Sequence, residues 1–160
     1  MDKEKKLVPG LPPGCGDRWN KKLLLKKKLL KAIEESFIKF GAEALETPSF
    51  EISENIGSFL AEDEANPMSD VFLLQDGDKS ITLRYDLSSP LARFYAQNNQ
   101  ELPSIFKRYQ IQNVFRNEKA GNGRYREFLQ ADFDIVGNVN PAQANAELCN
   151  LISSTLSDCG

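Results

Sequence analysis

Two stretches of the chain, 104–116 and 124–136, alternate apolar and polar side chains at every second position. That period restricts them to extended strands, because a helix would scatter the same residues around its circumference. On 124–136 one face carries Arg124, Arg126, Phe128, Gln130, Asp132 and Asp134, and the other Tyr125, Leu129, Ala131, Phe133 and Ile135. On 104–116, Arg108, Gln110, Gln112 and Arg116 oppose Ile105, Tyr109, Ile111 and Phe115. A third run, 81–88, sets Arg84, Asp86 and Ser88 against Ile81, Leu83, Tyr85 and Leu87. Three strands with the same division need something to cover the apolar side. The expected fold is therefore α+β, an antiparallel β-sheet flanked by helices.

Covering helices are legible. From Trp19 the apolar residues Leu23, Leu30, Ile33, Phe37 and Phe40 recur at helical spacing, with Asp17 as the expected cap and Gly41 as the stop. Lys21, Lys22, Lys27, Lys28 and Lys31 lie largely off that stripe and read as a solvated face. Ser89 and Pro90 predict an N-cap and first helical position for a second helix reaching about Asn98, and "PAQANAELCNLISSTLSDCG" a third. "AEALETPSFE" reads as a strand closed by Pro48, the stretch 52–70 as helix or loop, and the apolar runs flanking Asp76-Gly77 as a hairpin. Residues 1–16 form an extended lead-in rich in Pro and Gly, so 17–160 is the expected folded unit.

Composition narrows the chemistry. With 160 residues, 41% of them hydrophobic, one core-bearing domain is expected. A net charge of -3 gives no global basic field, so an anion site must be local. There is no histidine, which excludes Ser-His and Cys-His nucleophiles and His-ligated metals within the chain. The three cysteines, Cys15, Cys149 and Cys159, make no CxxC pair and fit a reduced intracellular setting. No apolar run spans a bilayer, and a cytoplasmic location with no membrane partner is the expectation.

A sheet with one face in water would by itself explain the alternation. The polar faces, however, carry arginines and carboxylates rather than Lys, Thr and Ser, with Phe128 among them. Guanidinium forks bind oxyanions bidentately, so Arg116, Arg124 and Arg126 suit phosphate, while Asp86 and Asp134 suit an ammonium group. Phe128 offers a surface for a flat base. A nucleotide and an amino acid are the economical ligands.

"FRNEKAGNGRYREF" (115–128) resembles motif 2 of class II aminoacyl-tRNA synthetases, and "RYDLSSPLARFYAQN" through "GRYREFLQADFDIVG" resembles the histidyl-tRNA synthetases in particular. "GAEALETPSFE" is similar to their motif 1, ending at Pro48, and "PPGCGDR" to their opening around Gly14 and Asp17. The resemblance covers residues 12–158 and implies a histidine–tRNA ligase acting on L-histidine, ATP with Mg²⁺ and tRNA(His), homodimeric through motif 1. It gives Arg116 the α-phosphate and the substrate carboxylate, Glu118 the adenine amino group, Arg124 the γ-phosphate and Phe128 the adenine ring. Asp86, Ser88, Gln130 and Asp134 would hold histidine; Ser88 stands where the family usually has threonine. It also implies that 17–160 is part of a catalytic domain whose motif 3, like the anticodon-binding domain, falls outside this sequence. Two other readings are a histidine-sensing regulatory paralogue of ATP phosphoribosyltransferase, which needs no ATP motif, and an inactive remnant.

Overall fold

The computed structural model describes residues 8–55 and 70–160. Its elements run α1 (Asn20–Lys39), β1 (Glu43–Ala44), β2 (Phe50–Ile52), β3 (Leu73–Asp76), β4 (Lys79–Leu83), α2 (Ser88–Asn98), β5 (Ile105–Phe115), β6 (Glu127–Gly137) and α3 (Pro141–Cys159). The strands form two sheets of order β1-β5-β6 and β2-β4-β3. The α+β expectation holds, with two differences: the expected single antiparallel sheet is two, β4 lying apart from β5 and β6, and β1 runs parallel to β5.

The two alternating stretches become β5 and β6, antiparallel from Ile105 opposite Gly137 to Phe115 opposite Glu127. Their apolar face meets α1 and α3. Phe37, Ala42, Tyr109 and Leu151 form the buried centre, with Ile33, Phe40, Ile111, Phe133 and Leu148 packed against it. The Phe37 ring lies 5.6 Å from Phe133 and 6.0 Å from Tyr109, centroid to centroid. Ser36 and Thr155 hydroxyls, 2.7 Å apart, join the helices.

Local signals explain most boundaries. α1 ends in a Schellman motif: the Ala42 amide donates to Phe37 O and the Gly41 amide to Ile38 O, with Gly41 at φ +78°. Its start differs from expectation. Trp19, not Asp17, holds the N-cap position, without a side-chain cap; Asp17 sits two residues too early to reach the first free amides. α3 is capped by Asn140, whose carboxamide oxygen accepts from Ala142 N–H at 2.9 Å. The expected hairpin forms as β3/β4, but its loop is Gly77-Asp78 rather than Asp76-Gly77: Asp76 pairs with Lys79 and Gly77 takes φ +57° at the first loop position. The lead-in turns tightly at Pro12–Cys15, with Cys15 N–H donating to Pro12 O.

The expected single strand before Pro48 is two. β1 pairs with β5, β2 pairs with β4, and Pro48 lies between them. The crossing is held by Arg84, which donates from Nη1 to Thr47 O at 2.7 Å and to Pro48 O at 3.3 Å, and from Nε to Asn113 O at 2.7 Å. α2 begins at Ser88, one residue before the expected cap, because the Asp86 carboxylate accepts from Ser89 N–H at 3.0 Å. A carboxylate serves a helix N-terminus better than a hydroxyl, since its charge also opposes the dipole. The reading of 52–70 falls mostly outside the described residues.

Candidate active site

The polar face of β5 is not in water. α2 and the crossing segment cover it, so that Phe106, Arg108, Gln110 and Val114 are all buried. Phe94 of α2 stacks near Phe106, centroids 6.3 Å apart. Gln110 donates to Thr47 Oγ1 at 2.8 Å, and Arg108 donates to Leu87 O at 3.1 Å. On β6 the facing residues Phe128, Gln130, Asp132 and Asp134 are only half-buried. They form the accessible part of this floor.

Arg108 organises its inner end. Its side chain is fully buried and lies 2.8 Å from Asp134 Oδ2. Burial pushes the Arg108 pKa down, and the negative charges of Asp134, Asp132 and Asp86 oppose that shift. The same cluster acts on Asp132: burial raises its pKa, Arg108 pulls it back, and Asp134 and Asp86 push it up again. Among the described residues, Arg108 Nε and Nη1, Gln110 Oε1 and Gln130 Oε1 have no hydrogen-bond partner. Buried polar atoms are rarely left so: the carboxamide oxygens and nearby carboxylates call for a guest that donates hydrogen bonds, and the Arg108 nitrogens for one that also accepts them.

The outer end is the loop 116–126 between β5 and β6. Arg116 N–H donates to Arg126 O at 2.9 Å, and Gly121 and Arg124 exchange backbone hydrogen bonds at 3.2 and 3.1 Å around Gly123, at φ +75°. The lead-in anchors the returning arm: Arg126 N–H donates to Gly14 O at 2.9 Å. Gly14 has φ +76°, and a Cβ there would stand 2.6 Å from Arg126 Cγ. Arg126 lies over the Phe72 ring at 4.7 Å.

Arg116 is gripped on two sides. Its guanidinium carbon stands 4.4 Å from the Tyr85 ring centroid and 5.1 Å from that of Phe128, and Nε donates to Tyr85 O at 3.4 Å. Glu118 accepts from the Tyr85 hydroxyl at 3.2 Å and pairs through its other oxygen with Arg124, which is largely exposed.

Of the residues singled out in the sequence, Arg116, Glu118, Arg124 and Phe128 therefore gather at the outer end, Asp86 and Asp134 gather toward Arg108, and Gln130, opposite Gln112, lies between the two groups. Ser88 is exposed at the start of α2, where it lines a cavity of about 620 Å³ with Ser89, Ala92 and Arg93. Arg84 shares no such surface, being spent on backbone carbonyls. Pro48 is exposed between β1 and β2. Sequence reasoning missed Tyr85, which strict alternation assigns to the core. β4 ends at Leu83 and α2 starts at Ser88, so strand parity stops short of Tyr85.

Solved structures share this architecture. A protein described as an ATP phosphoribosyltransferase regulatory subunit/histidyl-tRNA synthetase from Bacillus halodurans C superposes with TM-score 0.80 at 25% identity, over 100% of this chain and 40% of its own. A histidyl-tRNA synthetase from Nostoc sp. PCC 7120 does so with TM-score 0.78 at 25% identity, over 92% of this chain and 34% of its own. The fold is thus that of a synthetase-type α+β core. The family model described as histidyl-tRNA synthetase matches residues 14–160, and the chain belongs to that family. The histidine--tRNA ligase of Pelagibacter ubique (strain HTCC1062) is 76% identical over 160 residues, 100% of this chain and 34% of the relative. That of Rhodopseudomonas palustris (strain TIE-1) is 42% identical over 99% of this chain and 31% of the relative. The chain spans about a third of the length of the curated relatives it matches.

Proposed function

We propose that this chain is the amino-terminal part of the catalytic domain of a histidine–tRNA ligase, and that its floor binds ATP at the outer end and histidine at the inner end. The bracing of Arg116 between two aromatic rings and a backbone carbonyl carries the reading. A guanidinium fixed in this way is ready to meet an oxyanion without first being ordered.

In this reading a carboxylate oxygen of histidine attacks the α-phosphorus of ATP, the bond to the bridging oxygen breaks, and pyrophosphate leaves. The terminal hydroxyl of tRNA(His) then takes the acyl group and AMP departs. The nucleophile is already anionic at neutral pH, so no general base is required and a chain without histidine side chains is adequate. Bringing two anions into line is the difficulty, and positioned positive charge answers it. Arg116 holds the α-phosphate and the carboxylate. Arg124 exchanges its exposed ion pair with Glu118 for the γ-phosphate, which frees Glu118 to accept from the adenine amino group above Phe128. Asp86, Asp134 and Gln130 receive the α-ammonium of histidine, with Ser88 at the start of α2 beside Asp86.

Among the described residues no three His, Cys, Asp or Glu side chains group as a metal cage. Mg²⁺ would enter on the phosphates of ATP, as it commonly does, and supply charge neutralisation there. Pro48 closes motif 1, the proposed homodimer contact, and the proposed location is the cytoplasm. No described helix is long and apolar enough to cross a membrane.

Calorimetric titration of the full-length protein tests the pair of ligands. Binding of both ATP and histidine, with ATP binding weakened in Arg124→Ala, is the expected result. Histidine binding without any ATP binding would instead favour a histidine-sensing regulatory protein.

A further inference from the structure

Tyr85 comes from a third segment and touches both halves of the proposed ATP site. Its ring lies 4.4 Å from the Arg116 guanidinium carbon, its carbonyl accepts from Arg116 Nε at 3.4 Å, and its hydroxyl donates to Glu118 at 3.2 Å. It is half-buried, between the buried Arg84 and the buried Leu87 two positions on, so it is not core filler. Phe128 meets Arg116 from another side, whereas Tyr85 touches both Arg116 and Glu118.

We propose that Tyr85 is a positioning residue for adenylate formation, setting the angle of Arg116 toward the α-phosphate and the height of Glu118 toward the adenine edge. The inference rests on the function proposed above. Its chemistry divides by atom. The ring and carbonyl bear on Arg116, hence on the transition state; the hydroxyl bears on Glu118, hence on base recognition. Burial, and next to it the competing pull of Arg116 and the bond to Glu118, leave the Tyr85 pKa raised, so at neutral pH the hydroxyl is a standing donor. A donor fixes which Glu118 oxygen stays free for a 6-amino group. Inosine triphosphate, with a carbonyl at that position, would set two acceptors against each other.

The test is steady-state adenylate formation by the full-length protein with ATP and with inosine triphosphate, in wild type, Tyr85→Phe and Tyr85→Leu. Tyr85→Phe should raise KM for ATP about tenfold, leave kcat within about twofold, and reduce the preference for ATP over inosine triphosphate. Tyr85→Leu should in addition lower kcat about tenfold, as expected for a lost cation–π contact and a freed guanidinium. An unchanged KM and unchanged nucleotide preference in Tyr85→Phe would overturn the proposal, as would equal losses in kcat for both variants alongside a fallen Tm. The NMR signal of the Arg116 Nε–H group gives a readout independent of activity: it should move downfield in Tyr85→Leu, and its constancy would also overturn the proposal. A wild-type protein that forms no histidyl-adenylate counts against the proposed function, whereas an active wild type with an indifferent Tyr85→Phe variant counts against this inference alone.

Discussion

Arginine serves three different ends in this chain, and burial sorts them. Arg84 closes the segment crossing through backbone carbonyls, Arg108 sits fully buried among carboxylates, and Arg116 is braced at the accessible end of the floor. Arg84→Met would strip partners from Thr47 O and Asn113 O inside the protein, a loss of about 3 kcal/mol or more in a urea denaturation series. Arg116→Ala should leave stability largely intact and raise the activation barrier by roughly 2.7–4 kcal/mol, by analogy with removal of one oxyanion donor, read as kcat/KM for adenylate formation. Asp132 gives a pH signature. Its folded pKa is raised, chiefly by burial, so the folded state holds the proton more tightly than the unfolded chain. The associated stability is lost as pH rises from the ordinary carboxylate range through the raised value. Asp132→Asn should accordingly stabilise the protein at pH 7 relative to wild type, with the difference shrinking toward pH 4 in thermal melts. At this scale the Arg116, Glu118, Arg124 and Phe128 group was legible, because those four residues fall within one short motif, 115–128. Arg84 and Arg108 were not: their burial depends on segments 45–49 and 84–87, which no local pattern brings onto β5.

Elements with an uninterrupted period were readable, and elements made by distant pairing were not. β5, β6, α1 and α3 emerge close to expectation, since each has enough turns or alternations to declare its face. The division of 42–52 into β1 and β2 escapes a local reading, because the partners, Tyr109 in one sheet and Leu83 in the other, are set by tertiary contact. The helix starts show the same limit. Asp17 and Ser89 are both good capping residues in composition, but Asp86 takes the role at α2 through its reach. The close of the β5/β6 ladder supplies a sharp test. Gly137 has φ +135°, and a Cβ there would lie 2.1 Å from Ser104 O. Gly137→Ala must move backbone at the end of the ladder, and should cost about 1–3 kcal/mol or more, seen as a lowered urea midpoint with accelerated amide exchange at Ile105.

The molecule is layered: α1 and α3 on one side of the β1-β5-β6 sheet, α2 and the crossing segment on the other, with β6 presenting its polar residues between. The apolar layer holds the floor in shape and the polar layer works on ligands, so damage to each should separate. Leu151, almost wholly buried against Phe37 and Tyr109, should cost about 2–5 kcal/mol on replacement by alanine. Below the melting transition, the KM for ATP in that variant should stay near wild type. Activation of histidine by ATP on this floor would appear as amino-acid-dependent exchange of labelled pyrophosphate into ATP, run on the full-length protein against each of the twenty amino acids. Exchange should depend on histidine alone. Exchange driven by another amino acid, or none with any, would contradict it.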